Sequence, residues 1–159
     1  MRLAAPRAHA GIQPLANSTR HKLTITVPED HEMADRLETE TLLHKLYAAR
    51  LRGDLDALCA TFTADASFQI AGASNTSPLV ISANGVDKYR PLLAIMLKSF
   101  KLRDQEILAM LVDGARAAVH WRVKIFSRIT GTTVLTELVD IVEVRDGHVS
   151  SYTEMFVPR

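Results

Sequence analysis

Apolar residues recur along this chain first at helical and then at strand spacing. Between Glu29 and Arg52, Met33, Leu37, Leu43, Leu46, Tyr47 and Leu51 form the stripe of a long amphipathic helix. Pro28-Glu29-Asp30 suits its first turn, because proline needs no hydrogen bond there and acids complement the helix dipole. Gly53 stops it, and Asp54 can cap a second helix over Leu55–Phe62. A strand is predicted over Ala66–Ala71, a small-residue loop over Gly72–Ser77 and a short strand over Pro78–Ser82. Asn84-Gly85 leads into a third helix over Val86–Phe100, with Leu92, Leu93, Met96 and Leu97 as its buried face and Pro91 as an internal kink.

Beyond that helix the period is two. Strands are predicted over Arg103–Val112, Ala115–Ile129, Thr132–Arg145 and His148–Val157. The pairs Asp113-Gly114, Thr130-Gly131 and Asp146-Gly147 between them are hairpin turns. The order α-α-β-(β)-α-β-β-β-β gives an α+β fold. Three N-terminal helices pack on a strongly curved antiparallel sheet, with mixed pairing at an edge, as a cone with an apolar concave face.

Residues 1–28 stand apart. They carry Arg2, Arg7, Arg20 and Lys22 and no acid, with Pro6, Gly11 and Pro14 breaking any pattern. They hold no continuous apolar run of a secretory signal. An acid-free, Arg-rich start also marks organelle import, but we read 1–28 as a flexible tail, with Lys22–Val27 as a short strand, before a single domain over 29–159. A chain of 159 residues can bury a sizeable core. The net charge of +1 argues against a general nucleic-acid binder. No window reaches the length of a membrane helix, so no membrane partner is expected. The single cysteine, Cys59, excludes an internal disulfide, reads as a packed side chain and fits a reducing cytoplasm. The six histidines show neither H-x-x-x-H nor H-x-H spacing, so no metal is expected. Serine hydrolase, P-loop and dinucleotide motifs do not occur.

Candidate chemistry follows from strand phase. Leu138, Asp140 and Val142 share one face, and Glu137, Val139, Ile141 and Glu143 the other. An acid aimed into an apolar concavity resists ionisation, so it is either satisfied by a partner or kept for use. A solvent-facing edge or an arginine pair is the competing reading of Asp140. The same alternation sends Trp121, Val123, Ile125 and Ser127 inward, with Tyr152, Glu154 and Phe156. The candidate catalytic residues are therefore Asp140, Glu154 and Tyr152. Two carboxyls close together split into one acid and one base near neutral pH. The candidate binding residues are Trp121, Val123 and Phe156 from the sheet, with Phe62, Phe68, Leu92 and Met96 closing the pocket. Glu154 at a wet strand end, and Tyr152 and Trp121 as plain core packing, are the structural alternatives.

Two segments carry a family resemblance. One is Tyr47-Ala-Ala-Arg-Leu-Arg-Gly-Asp-Leu-Asp-Ala-Leu-Cys-Ala-Thr-Phe-Thr-Ala-Asp-Ala-Ser-Phe, and the other is Leu138-Val-Asp-Ile-Val-Glu-Val-Arg-Asp-Gly-His-Val. Together they resemble the SnoaL-like, or ketosteroid isomerase-like, group of the nuclear transport factor two-like superfamily over residues 35–157. The resemblance implies a homodimer through the outer sheet face, where His120, Arg122, Lys124, Phe126, Val139 and Ile141 lie. It also implies three pocket groups in the isomerases: a tyrosine, which counts onto Leu46 with Tyr47 one residue out of phase; a base, which counts onto Ile70; and a protonated aspartate, which counts onto Asp140. Steroid isomerase activity by that route is not expected. The expectation is a small-molecule pocket protein, without cofactor, carrying out proton transfer of the isomerase, cyclase or dehydratase type on a small apolar carbonyl compound. The alternative is a non-catalytic binding or dimeric scaffold module.

Overall fold

The structure, a computed structural model, describes residues 29–73 and 78–157. Helices α1 (Glu29–Arg52) and α2 (Leu55–Cys59) are followed by strands β1 (Phe62–Ala73) and β2 (Pro78–Asn84). Helix α3 (Val86–Ser99) then precedes β3 (Phe100–Asp113), β4 (Arg116–Ser127), β5 (Thr133–Arg145) and β6 (His148–Phe156). The six strands form one open sheet in the order β2-β1-β6-β5-β4-β3, antiparallel throughout except where β1 lies parallel to β6. The three helices cover one face of this sheet, as the two periodicities predict.

Local chemistry sets the boundaries. Gly53 takes φ +71°, and Asp54 accepts a hydrogen bond from the Ala57 amide at 3.0 Å, so α1 stops and α2 starts within two residues. Asp146 and Gly147 both have positive φ, 52° and 71°, the conformation that a two-residue hairpin between twisted strands requires. The second helix ends at Cys59 rather than at Phe62, because Phe62 already pairs with Val149 of β6. Strand β1 accordingly begins four residues earlier than the pattern suggested. Pro91 lies inside a continuous α3.

The first two residues of the apolar stripe, Met33 and Leu37, are largely exposed. Helix α1 meets the core only from Thr39 onward, where the Thr39 hydroxyl donates to the Gly114 carbonyl at 2.9 Å. The segment 1–28, with the short strand expected at Lys22–Val27, lies outside the described residues. The core joins Leu43, Leu46 and Tyr47 of α1 to Trp121, Val123, Leu138 and Val142 of the sheet. Among the described residues no helix is long and apolar enough to cross a membrane.

Candidate functional site

The site begins in the last turns of α1. Leu43, Leu46, Tyr47 and Arg50 follow one another at three, one and three residues, so they project from one helix face. That face points at the sheet and carries a cation into it. Opposite stand two acids. Asp140 of β5 and Glu154 of β6 are paired neighbours across antiparallel strands, 0% and 1% exposed.

Arg50 and Glu154 form a bidentate ion pair through the two terminal guanidinium nitrogens, the longer contact being 3.1 Å. Arg50 also donates to the Tyr152 hydroxyl at 3.3 Å and stacks over Trp121, 5.3 Å from the ring centroid. Burial works against its charge, but Glu154, Tyr152 and Asp140 outweigh that and hold its pKa above the usual range. Asp140 has different company. One carboxyl oxygen, Oδ2, accepts from the hydroxyls of Tyr47 and Tyr152, each at 2.6 Å. The other, Oδ1, is buried with no hydrogen-bond partner among the described residues.

Burial first, and then the negative charge of Glu154, push the Asp140 pKa up to about 7, against the opposing pull of Arg50 and the two hydroxyls. Burial and the Asp140 carboxylate drive the Tyr47 and Tyr152 hydroxyls far above the ordinary phenol range. They are therefore fixed donors. The charge count explains the arrangement. One guanidinium can neutralise one of two buried carboxylates, so the other is easiest to bury with its proton on.

A cavity of about 440 Å³ opens over this cluster, bounded by Leu92, Ile95, Met96 and Leu97 of α3 and by residues of all six strands. Its lining is apolar apart from Ser127, Thr132 and Thr136 and, on the floor, Arg50 and Glu154. Ile70, the first-strand position matched to an isomerase base, lines the same cavity and is the direct cross-strand partner of Glu154.

The predicted residues thus separate into two groups. Glu154, Leu92, Met96 and Phe156 line the cavity. Asp140, Tyr152, Trp121 and Val123 lie behind it, essentially without exposure, and Phe62 and Phe68 pack in the core against Tyr152. Tyr47, rather than Leu46, reaches Asp140. Arg50 was missed. The available signal was a basic residue three positions after Tyr47, on the apolar stripe itself. Cys59 is buried as expected, which raises its thiol pKa. No cluster of side chains suited to a metal ion occurs among the described residues. On the outer face His120 and Arg122 meet Glu137, and Lys124 meets Asp104.

The fold is that of a known group. A SnoaL-like domain model matches residues 43–152, and the chain belongs to that family. No curated protein sequence matches it. Among solved structures, a nuclear transport factor two-like protein of Burkholderia xenovorans is 21% identical, with 77% of this chain and 91% of that one covered and a TM-score of 0.64. A Bacillus subtilis protein named provisionally as an isomerase is 17% identical, with 78% and 89% covered and a TM-score of 0.68. A Xanthomonas campestris protein named provisionally as a polyketide cyclase is 25% identical, with 77% and 93% covered and a TM-score of 0.60. These likenesses show the fold.

Proposed function

We propose that the protein binds a small apolar carbonyl compound in the 440 Å³ cavity and catalyses cofactor-free proton transfer on it, in the manner of an isomerase, cyclase or dehydratase. One observation carries this reading: Glu154, the one carboxylate lining the cavity among the described residues, sits beside Arg50 and directly across from Ile70, where a base would be expected. The carboxylate is displaced by one strand, roughly 4.8 Å, from that position. In the reaction, the Glu154 carboxylate removes a proton from a carbon next to the carbonyl, and the electron pair moves onto the carbonyl oxygen. Arg50, charged before and after, stabilises that oxyanion, and Glu154 returns the proton to another carbon. Asp140, with its tyrosines, acts as a positioning group that sets the charge felt by Arg50. The names of the Bacillus and Xanthomonas proteins support an isomerase or cyclase type of chemistry.

The test is a thermal-shift screen of apolar ketones and enones, followed by NMR detection of solvent deuterium entering carbons next to the carbonyl. Wild-type exchange that Glu154→Gln lowers by about 10²–10⁴-fold at unchanged affinity supports the reading. Equal exchange in the two proteins sinks it. The second reading, a binding module without chemistry, is favoured by the bidentate hold of Arg50 on Glu154, which engages both carboxylate oxygens. Ligand binding with no exchange in either protein would establish it.

A further inference from the structure

The rim of the cavity carries several exposed apolar side chains. Ile95 and Val134 line the cavity yet remain 62% and 58% exposed, and Phe100 and Phe156 beside them are also exposed. Ile129, in the β4–β5 turn, is 75% exposed. The backbone brings these residues to one place. The Arg128 amide donates to the Ser99 carbonyl at 2.8 Å, and Phe100 pairs with Ser127 across the β3–β4 ladder. Single exposed apolar side chains are ordinary, but several around one apolar opening make a patch.

Charge is distributed in the same direction. Residues 88–103 hold Lys88, Arg90, Lys98, Lys101 and Arg103 and no acid, and residues 122–136 hold Arg122, Lys124 and Arg128 and no acid. Arg90, Arg122 and Lys124 are engaged with Asp56, Glu137 and Asp104. Lys98 and Arg128 are exposed next in sequence to the lining residues Leu97 and Ser127, Lys101 is exposed on the outer face of the same strand end, and none of the three forms an ion pair among the described residues. Asp87, Asp104 and Glu137 border these two segments, whose cations outnumber them, and further acids, Asp113, Glu143 and Asp146, lie around the opposite turns.

We propose that this rim docks on the surface of an anionic lipid bilayer. The exposed Ile, Val and Phe side chains enter the headgroup layer, and Lys98, Lys101 and Arg128 meet lipid phosphate and carboxylate groups. A second copy of the chain is a poorer occupant, since a two-fold contact through this rim would set the same three cations against themselves. The expectation of no membrane partner rested on the lack of a spanning segment, and a surface contact needs none. Docking opens the cavity toward the phase in which an apolar ligand is most concentrated. That last clause rests on the ligand proposed above; the docking itself does not.

The experiment is flotation of the full chain with phosphatidylcholine vesicles, with and without phosphatidylserine, at low and high salt. Binding that requires phosphatidylserine and is lost at high salt is expected. Lys98→Gln and Lys101→Gln should each weaken it about fivefold, and Ile129→Ser several-fold, with melting temperatures unchanged. These positions lie outside the cavity lining, so turnover of a water-soluble substrate should not change. No phosphatidylserine-dependent flotation, or flotation untouched by the variants, overturns the proposal. So does light scattering showing a dimer that Ile129→Ser dissociates. Lost flotation with intact turnover removes docking alone, and intact flotation without turnover removes the catalytic reading alone.

Discussion

Asp140 and Glu154 are the same kind of group, on adjacent strands, on the same face of the sheet, and in register. Their surroundings nevertheless differ completely. Glu154 meets a guanidinium and the cavity; Asp140 meets two phenols and the core. Depth makes the difference. Among the described residues the single cation beside these acids, Arg50, lies at the cavity floor and engages the nearer acid, so the deeper one is left to hydrogen bonds that are weaker than an ion pair. Strand periodicity can aim two carboxyls at one pocket, but which of them becomes an ion and which becomes an acid depends on where the helix delivers its one positive charge.

The sharpest way to break this contrast is to remove the cation. Arg50→Met leaves two buried carboxyls with no counter-charge, and we expect a loss of about 3–5 kcal/mol in urea unfolding at neutral pH. The loss should shrink in acid, where both carboxyls hold protons. Next in size is Glu154→Gln, whose stability loss is smaller because Asp140 remains as an anion for Arg50, and whose main effect falls on turnover. If it damaged stability as much as Arg50→Met without touching turnover, both acids would be structural.

The pH dependence isolates Asp140. Its folded pKa, about 7, lies above the unfolded value of roughly 4, so between these the folded state binds the additional proton. Stability contributed by this group is full below the lower value and falls by about 1.4 kcal/mol per pH unit as pH rises toward the upper one. Asp140→Asn should remove that slope, so that the variant gains on the wild type between pH 4 and pH 7. Parallel stability curves for the two proteins would show that Asp140 titrates normally.

The smallest expected effect sharpens the contrast. Tyr47→Phe deletes one of the two 2.6 Å hydrogen bonds to Asp140 and should cost about 1.5–3 kcal/mol above pH 7, where the acceptor is charged. The cost should be less below pH 5. Because that bond favours the ionised form, the Asp140 titration should move upward in the variant, as followed by carboxyl-detected NMR.

Much of the molecule is legible in the chain. The helical stripe of α1, the Gly53-Asp54 corner and the turns at Asp113-Gly114 and Asp146-Gly147 announce the elements, and the alternation around Trp121 and Asp140 gives the correct faces. The early part of the α1 stripe misleads, because Met33 and Leu37 have helical spacing but lie beyond the reach of the sheet. Periodicity reports the direction of a side chain, not what stands in front of it.

The amino-acid order by itself settles the type and order of the elements and the inward direction of Asp140, Glu154, Tyr152 and Trp121, since these follow from backbone conformational preference and spacing between near neighbours, and its motifs carry the resemblance to the family. Three matters were left to the folded chain: that Tyr47 rather than Leu46 reaches Asp140 across 93 residues, that Arg50 meets Glu154 across 104, and that Glu154 faces the cavity while Asp140 is sealed behind it. These depend on how far a twisted sheet closes over a helix, and that closure is set by the packing of the whole core.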